Sequence, residues 1–105
     1  MKKTSLILGT CLFLSACGGY EIDLDNITTK MQFHEKIRET IPCPDYYGGN
    51  LDALYDVLTE MSGPIEIVFL NFREFTHQLP GFGEVVEHLC ADVQAENPEL
   101  VIVLK

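Results

Sequence analysis

Residues 44–56 read PDYYGGNLDALYD, a turn-forming run that passes directly into a helical pattern. The Pro and Gly content predicts a loop over residues 43–49. Asn50 then suits an N-cap, since its side chain can accept a hydrogen bond from a free N–H group of the first helical turn. The apolar positions that follow recur at helical spacing; they are Leu51, Leu54, Tyr55 and Leu58. The stretch therefore predicts a loop followed by a helix from residue 51 to about residue 61.

Upstream of this loop, the sequence predicts one strand and one helix. Residues 20–24 alternate apolar and polar side chains, which is the period of a half-buried strand. Residues 26–29 offer capping side chains, and a helical pattern runs from there to Pro42. Its apolar positions are Met31, Phe33, Ile37 and Ile41.

Downstream of the loop and its helix, the sequence predicts two more strands and two more helical segments. Residues 65–70 read IEIVFL, a run that predicts a strand covered on both faces, at or near the centre of a sheet. A short helical turn is predicted over residues 71–77, before Pro and Gly at 80–81 break the chain. A longer helix is predicted over residues 82–96, and residues 100–104 predict a third buried strand.

This alternation of strands and helices predicts an α/β fold, with a small three-stranded parallel sheet and helices packed against it. With 105 residues, of which 47% are apolar, the chain can form one small domain with a single core. Its formal charge of −9 disfavours nucleic acid as a direct ligand, because duplex binding depends on Lys and Arg. A basic protein is the favoured partner.

The first residues have the pattern of a bacterial export signal. Lys2 and Lys3 precede an apolar run over residues 5–14, which is shorter than the roughly 20 residues of a membrane span. We therefore expect residues 1–16 to be a signal peptide and residues 17–105 to be the domain. Loss of the two lysines leaves five basic against 16 acidic side chains, a formal charge of −11.

Residues 14–17, Leu-Ser-Ala-Cys, resemble the bacterial lipobox, in which the Cys becomes the lipidated first residue of the mature protein. The resemblance implies a periplasmic lipoprotein anchored through Cys17, and Gly18 favours the outer membrane. Ordinary cleavage with an unmodified Cys17 is the alternative. Cys43 and Cys90 could pair in an oxidising compartment, but we expect two buried free thiols.

The predicted second helix repeats an acid at each turn, namely Asp52, Asp56 and Glu60. Like charges at this spacing destabilise a helix by about 0.2–0.5 kcal/mol per pair. The helix dipole can stabilise Asp52 by about 0.3–1 kcal/mol, but its effect ends within the first turn. Helix stability thus accounts for Asp52 and not for Asp56. Either the acids form a solvated polar face, or they bind a basic partner.

Three tyrosines flank these acids, namely Tyr46, Tyr47 and Tyr55. Rigid rings that exclude water from charge-assisted hydrogen bonds are typical of a protein-binding hot spot, although tyrosines also serve in packing. We expect one of Tyr46 and Tyr47 to be buried. Gly48 and Gly49 would let the loop backbone approach a partner closely, or would serve an ordinary turn.

The run from Pro44 to Asp56 resembles the signature of the barstar family, which reads P-x-Y-Y-G-x-N-L-D-A-L and continues with an aromatic residue and Asp. Members of that family are intracellular inhibitors of guanyl-preferring ribonucleases such as barnase. The order of elements matches from Tyr20 to Lys105, so the resemblance covers nearly all of the mature domain. Tyr55 stands where the family often has Trp, and Gly49 where an acid is common.

The resemblance implies a barstar-like fold and a surface that binds the active-site cleft of a basic ribonuclease or nuclease toxin. By position, that surface corresponds to Tyr46, Gly48, Asn50, Asp52, Tyr55 and Asp56. Aligning the final strands without a gap adds Asp92. Asp56 would take the place of a phosphate group, and Asp52 would bind near the catalytic centre. The inhibitor would need no cofactor or metal, and we expect a monomer before complex formation.

Two other functions stay open. Asp52, Asp56 and Asp92 could hold Mg²⁺ in an enzyme, since paired carboxylates are hard-cation ligands. The sequence lacks a P-loop, an HExxH motif and a G-x-S-x-G motif, which weighs against an enzyme. Alternatively, the fold serves as a periplasmic interaction module with a non-nuclease partner. A ribonuclease inhibitor, or the immunity protein of a related nuclease toxin, is the leading hypothesis.

Overall fold

The computed structural model describes residues 18–45 and 47–105. The predicted signal peptide, the predicted lipidation site Cys17 and the predicted binding residue Tyr46 lie outside the described residues. The elements follow in the order β1 (Gly18–Asp23), α1 (Lys30–Thr40), α2 (Leu51–Thr59), β2 (Ile65–Leu70), α3 (Phe72–Gln78), α4 (Pro80–Glu96) and β3 (Leu100–Leu104). The predicted α/β class is confirmed.

The three strands form one parallel sheet in the order β1-β2-β3, so β2 lies at its centre as predicted. Ile22 of β1 pairs with Phe69 of β2, and Ile67 of β2 pairs with Ile102 of β3. Parallel neighbours need a crossover connection, which the helical segments between consecutive strands supply. The sheet thereby brings residues from both ends of the domain into one layer.

Local signals determine where the helices begin. Thr29 and Gln32 form a capping box at the start of α1, with each side chain accepting a backbone N–H of the other residue. Asn50 caps α2 as predicted. Pro80 was expected to break the chain, but it occupies the first turn of α4, where a missing N–H costs no helical hydrogen bond. The interruption between α3 and α4 lies at Leu79 instead.

The core lies between the helices and one face of the sheet. From the sheet, Ile22, Ile67 and Phe69 are almost fully buried. The helices contribute Phe33, Ile37, Leu54, Leu58, Phe75, Val86 and Val93. Each fully buried large apolar side chain stabilises the fold by about 1.5–3 kcal/mol. This packing fixes α2 and α4 beside each other over the sheet.

The opposite face of the sheet is only partly covered. In β2, Glu66 is exposed while Val68 and Leu70 are half-buried, and Val101 of β3 is 49% exposed. The expectation that β2 is covered on both faces, and that β3 is buried throughout, is therefore wrong. β-branched side chains fit a half-buried pleated surface as well as a buried one, so their abundance did not decide between the two.

Candidate functional site

The loop before α2 presents its backbone at the surface. Gly48 is exposed, and the Asn50 side chain packs against it, since a Cβ at Gly48 would lie 3.1 Å from Asn50 Nδ2. Gly49 has a φ of +69°, a conformation that glycine adopts without strain. Asn50 Oδ1 accepts a hydrogen bond from the Ala53 N–H at 2.8 Å. The cap thus fixes the direction in which α2 leaves the loop.

The acidic residues of α2 are exposed and have no cationic partner in the described residues. Asp52 lies in the first turn, Asp56 one turn later, and Glu60 at the C-cap. Across residues 18–45 and 47–105, the one salt bridge joins Arg38 to Glu35. Among the residues that the structure describes, no ion pair offsets the repulsion along α2.

Helix α4 adds two more acids to this surface. Tyr55 is half-buried where α2 packs against α4. Burial raises its pKa first, and the charges of Glu96, Asp92 and Asp56 raise it further. The charges of these three acids therefore act on the Tyr55 phenol, two of them from α4 and one from α2. We call the exposed carboxylates of Asp52, Asp56, Asp92 and Glu96, together with Tyr55, the acid face.

Asp92 thus lies on the helix that packs against α2, near enough to Tyr55 for its charge to raise the pKa of the phenol. Their role in binding a partner stays a prediction. Glu96 was not among the predicted residues, although it lies one turn after Asp92 on α4. That spacing was its only sequence signal, and a solvated helix surface shows the same spacing.

Tyr47 is buried, which confirms the prediction that one of the two adjacent tyrosines packs inside. Its hydroxyl lies 2.7 Å from His34 Nδ1, and its carbonyl oxygen accepts a hydrogen bond from Arg38 Nη2 at 3.1 Å. Burial raises the pKa of Tyr47 to about 12. Neither His34 nor Arg38 was predicted to have a part in this site.

A groove of about 890 Å³ adjoins the loop. It runs between α1, the start of α2 and the start of α4, and Gly48, Asn50 and Asp52 form one of its walls. Met31 and Val85, which are 75% and 49% exposed, lie on the other walls. The acid face is thus bordered by apolar surface on the side of α1.

Comparison with known proteins identifies the family. A family model described as "Barstar (barnase inhibitor)" matches residues 19–105. The chain belongs to the barstar family. It is also 33% identical over 75 residues to the protein named "Putative ribonuclease inhibitor YrdF" of Bacillus subtilis (strain 168). That alignment covers 70% of this chain and 79% of the relative.

In this member of the barstar family, the predicted binding residues that the structure describes lie on two helices and one loop. Gly48 and Asn50 come from the loop, and α2 supplies Asp52, Tyr55 and Asp56. Asp92 comes from α4, more than 30 residues further along the chain. The surface therefore depends on the packing of α2 against α4 as well as on the local motif.

Three other features of the described residues concern metal binding, membrane spans and the cysteines. No group of three or more His, Cys, Asp and Glu side chains in the described residues is arranged to hold a metal ion. Within the same residues, no helix has the length and apolar character needed to cross a membrane. Cys43 and Cys90 are free as expected, but only Cys90 is buried, while Cys43 is half-buried. Burial raises the pKa of both thiols, to about 12 for Cys90.

Proposed function

We propose that this protein inhibits a ribonuclease, or a related nuclease toxin, by placing the acid face in the basic active-site cleft. The observation that carries the proposal is that the packed helices α2 and α4 expose Asp56, Asp92 and Glu96 without a cationic partner in the described residues. Exposed acids that the fold does not neutralise favour a partner that supplies Lys and Arg. Membership of a family described as barnase inhibitors supports the same function.

The mechanism is occupation of a site and involves no bond making. A ribonuclease cleft holds RNA phosphates with cationic side chains, and a carboxylate can make the same charge-assisted hydrogen bonds. Asp56 would replace a phosphate, and Asp52 would bind near the catalytic groups. Gly48 and Asn50 would bring the loop backbone to the rim of the cleft. Tyr55 would cover the buried part of the interface and keep water from these charged contacts.

The proposal includes export and lipid attachment at Cys17. The support is the sequence alone: an apolar run after Lys2 and Lys3, followed by the lipobox-like residues 14–17. An inhibitor at that location would act on a nuclease that is exported or that enters from outside. The domain would be a monomer until it binds this target.

Complex formation with purified basic ribonucleases tests the proposed function. Residues 18–105, which contain the whole described core, are titrated into barnase and a panel of other basic bacterial ribonucleases by calorimetry. We expect a one-to-one complex with at least one of them, weakened by Asp56→Ala and by Asp92→Ala. Glu60→Ala is the matched control, because it removes the same charge from α2 beyond Asp56. Absence of any complex at micromolar concentrations would contradict the proposal.

A further inference from the structure

Helix α1 supplies none of the acid face, yet two of its side chains contact the loop that leads into α2. His34 and Arg38 lie one turn apart on α1, so they face the same neighbour. That neighbour is Tyr47, which directly precedes the exposed Gly48. The loop is therefore attached to a helix outside the acid face.

Tyr47 is attached at both of its ends. His34 Nδ1 lies 2.7 Å from the phenol oxygen, and Arg38 Nη2 donates to the backbone carbonyl oxygen at 3.1 Å. The Arg38 guanidinium also lies 5.3 Å from the centre of the Tyr47 ring, within the range of a cation–π contact. Two contacts at opposite ends of one residue fix both its position and its orientation.

Arg38 is itself held in place. Its Nη1 donates to Glu35 Oε2 at 2.9 Å, which orients the guanidinium toward the loop. The loop stays against the same side chains beyond Tyr47, since a Cβ at Gly49 would lie 3.7 Å from Arg38 Nη2 and 3.9 Å from His34 Cβ. Arg38 and His34 therefore lie beside Gly49 as well as Tyr47, immediately before the Asn50 cap.

We infer that Arg38 is a positioning residue for partner binding, which fixes the Tyr47–Asn50 loop in the conformation that the partner recognises. The inference rests on the proposed function, because the loop carries Gly48 and Asn50 of the proposed interface. A preorganised loop loses less conformational freedom on binding, so the complex dissociates more slowly. Loss of the guanidinium leaves the hydroxyl contact with His34 to attach Tyr47 to α1.

If Arg38 acted only through its charge, its removal would change the kinetics of binding in a different way. Arg38 is a cation next to a surface that attracts a basic protein, so its removal should speed association. A positioning role predicts faster dissociation instead. Lys36→Met is the matched control, because it removes one positive charge from the same helix two residues away. Arg38→Lys keeps the charge but loses the planar guanidinium that reaches the carbonyl and the ring together.

Two measurements on residues 18–105 test the inference. Hydrogen exchange of the free protein reports the loop directly, with no need for a partner. We expect faster exchange at the amide of Tyr47, which donates to the Pro44 carbonyl oxygen at 2.9 Å, in Arg38→Met than in Lys36→Met, with unchanged exchange in β2. Stopped-flow and dissociation kinetics with barnase should show dissociation faster by up to about tenfold in Arg38→Met, because a loop that is no longer fixed must be ordered on binding. The amide exchange rate and the dissociation rate of Arg38→Lys should lie between those of Arg38→Met and Lys36→Met.

The outcomes separate this inference from the proposed function. If the unsubstituted protein binds no ribonuclease, the proposed function fails, and hydrogen exchange alone decides whether Arg38 positions the loop. If Arg38→Met and Lys36→Met have the same loop exchange and the same dissociation rate, the inference is overturned while the inhibitor function stands. Slower exchange in the loop of Arg38→Met would also overturn it.

Discussion

Replacing Asp56 by Ala should weaken binding of the partner without destabilising the fold. The Asp56 carboxylate is exposed, faces like charges one turn away at Asp52 and Glu60, and has no salt-bridge partner in the described residues. Removing it relieves two repulsive pairs of about 0.2–0.5 kcal/mol each. Because Asp56 lies beyond the first turn of α2, no helix-dipole stabilisation is lost. We therefore expect the free energy of unfolding to stay the same or to rise by up to about 1 kcal/mol.

The same substitution should weaken the complex. A hydrogen bond to a charged group contributes about 1.5–3 kcal/mol, so the dissociation constant for a ribonuclease target should rise by roughly 10- to 100-fold. Urea denaturation and calorimetric titration supply the two numbers, with Glu60→Ala as the charge-matched control. If Asp56→Ala unfolds the domain, or binds as tightly as Glu60→Ala does, then the acidic residues of α2 are only a solvated helix face.

Three further predictions concern other parts of the chain. Burial, and then the Arg38 cation, lower the pKa of His34 from its usual 6.5. As the pH falls through that value, the unfolded state therefore binds more protons than the folded state does. Its contribution to stability is thus present above about pH 6.5 and declines below it, and urea denaturation at pH 7.5 and 5.5 should show a smaller decline in His34→Gln. Metabolic labelling with a fatty acid should tag the full-length protein and not Cys17→Ser, whereas equal labelling of both would refute lipidation at that residue. Residues 18–105 should cleave no RNA with or without Mg²⁺, and metal-dependent cleavage that disappears in Asp52→Ala would reverse this expectation.

Local signals made α2 and its acids predictable from the sequence. The Asn50 cap and the helical spacing of the apolar residues depend only on neighbours within one or two turns, so α2 was predicted to within two residues of its end at Thr59. The alternating or apolar runs located the three strands in the same way. Which face of β3 is covered depends on where distant helices pack, and its partial exposure was therefore missed.

The remainder of the candidate site depends on tertiary contacts. The action of the Glu96 charge on Tyr55 requires α2 and α4 to pack together, and the one-turn spacing from Asp92 does not by itself indicate this packing. The contacts from His34 and Arg38 to Tyr47 join residues 13 and nine positions apart across a helix end and a loop. Histidine and arginine are common on helix surfaces, so their residue types did not indicate that they contact Tyr47.

Competition with RNA tests the central claim most directly, because the claim is that the acid face occupies the active-site cleft. The measurement is the rate of RNA cleavage by a ribonuclease that binds residues 18–105, recorded at several concentrations of RNA and of inhibitor. The account predicts competitive inhibition, in which more RNA restores the rate and Asp56→Ala raises the inhibition constant more than Glu60→Ala does. Full cleavage with saturating inhibitor bound, or inhibition that RNA does not relieve, would contradict it.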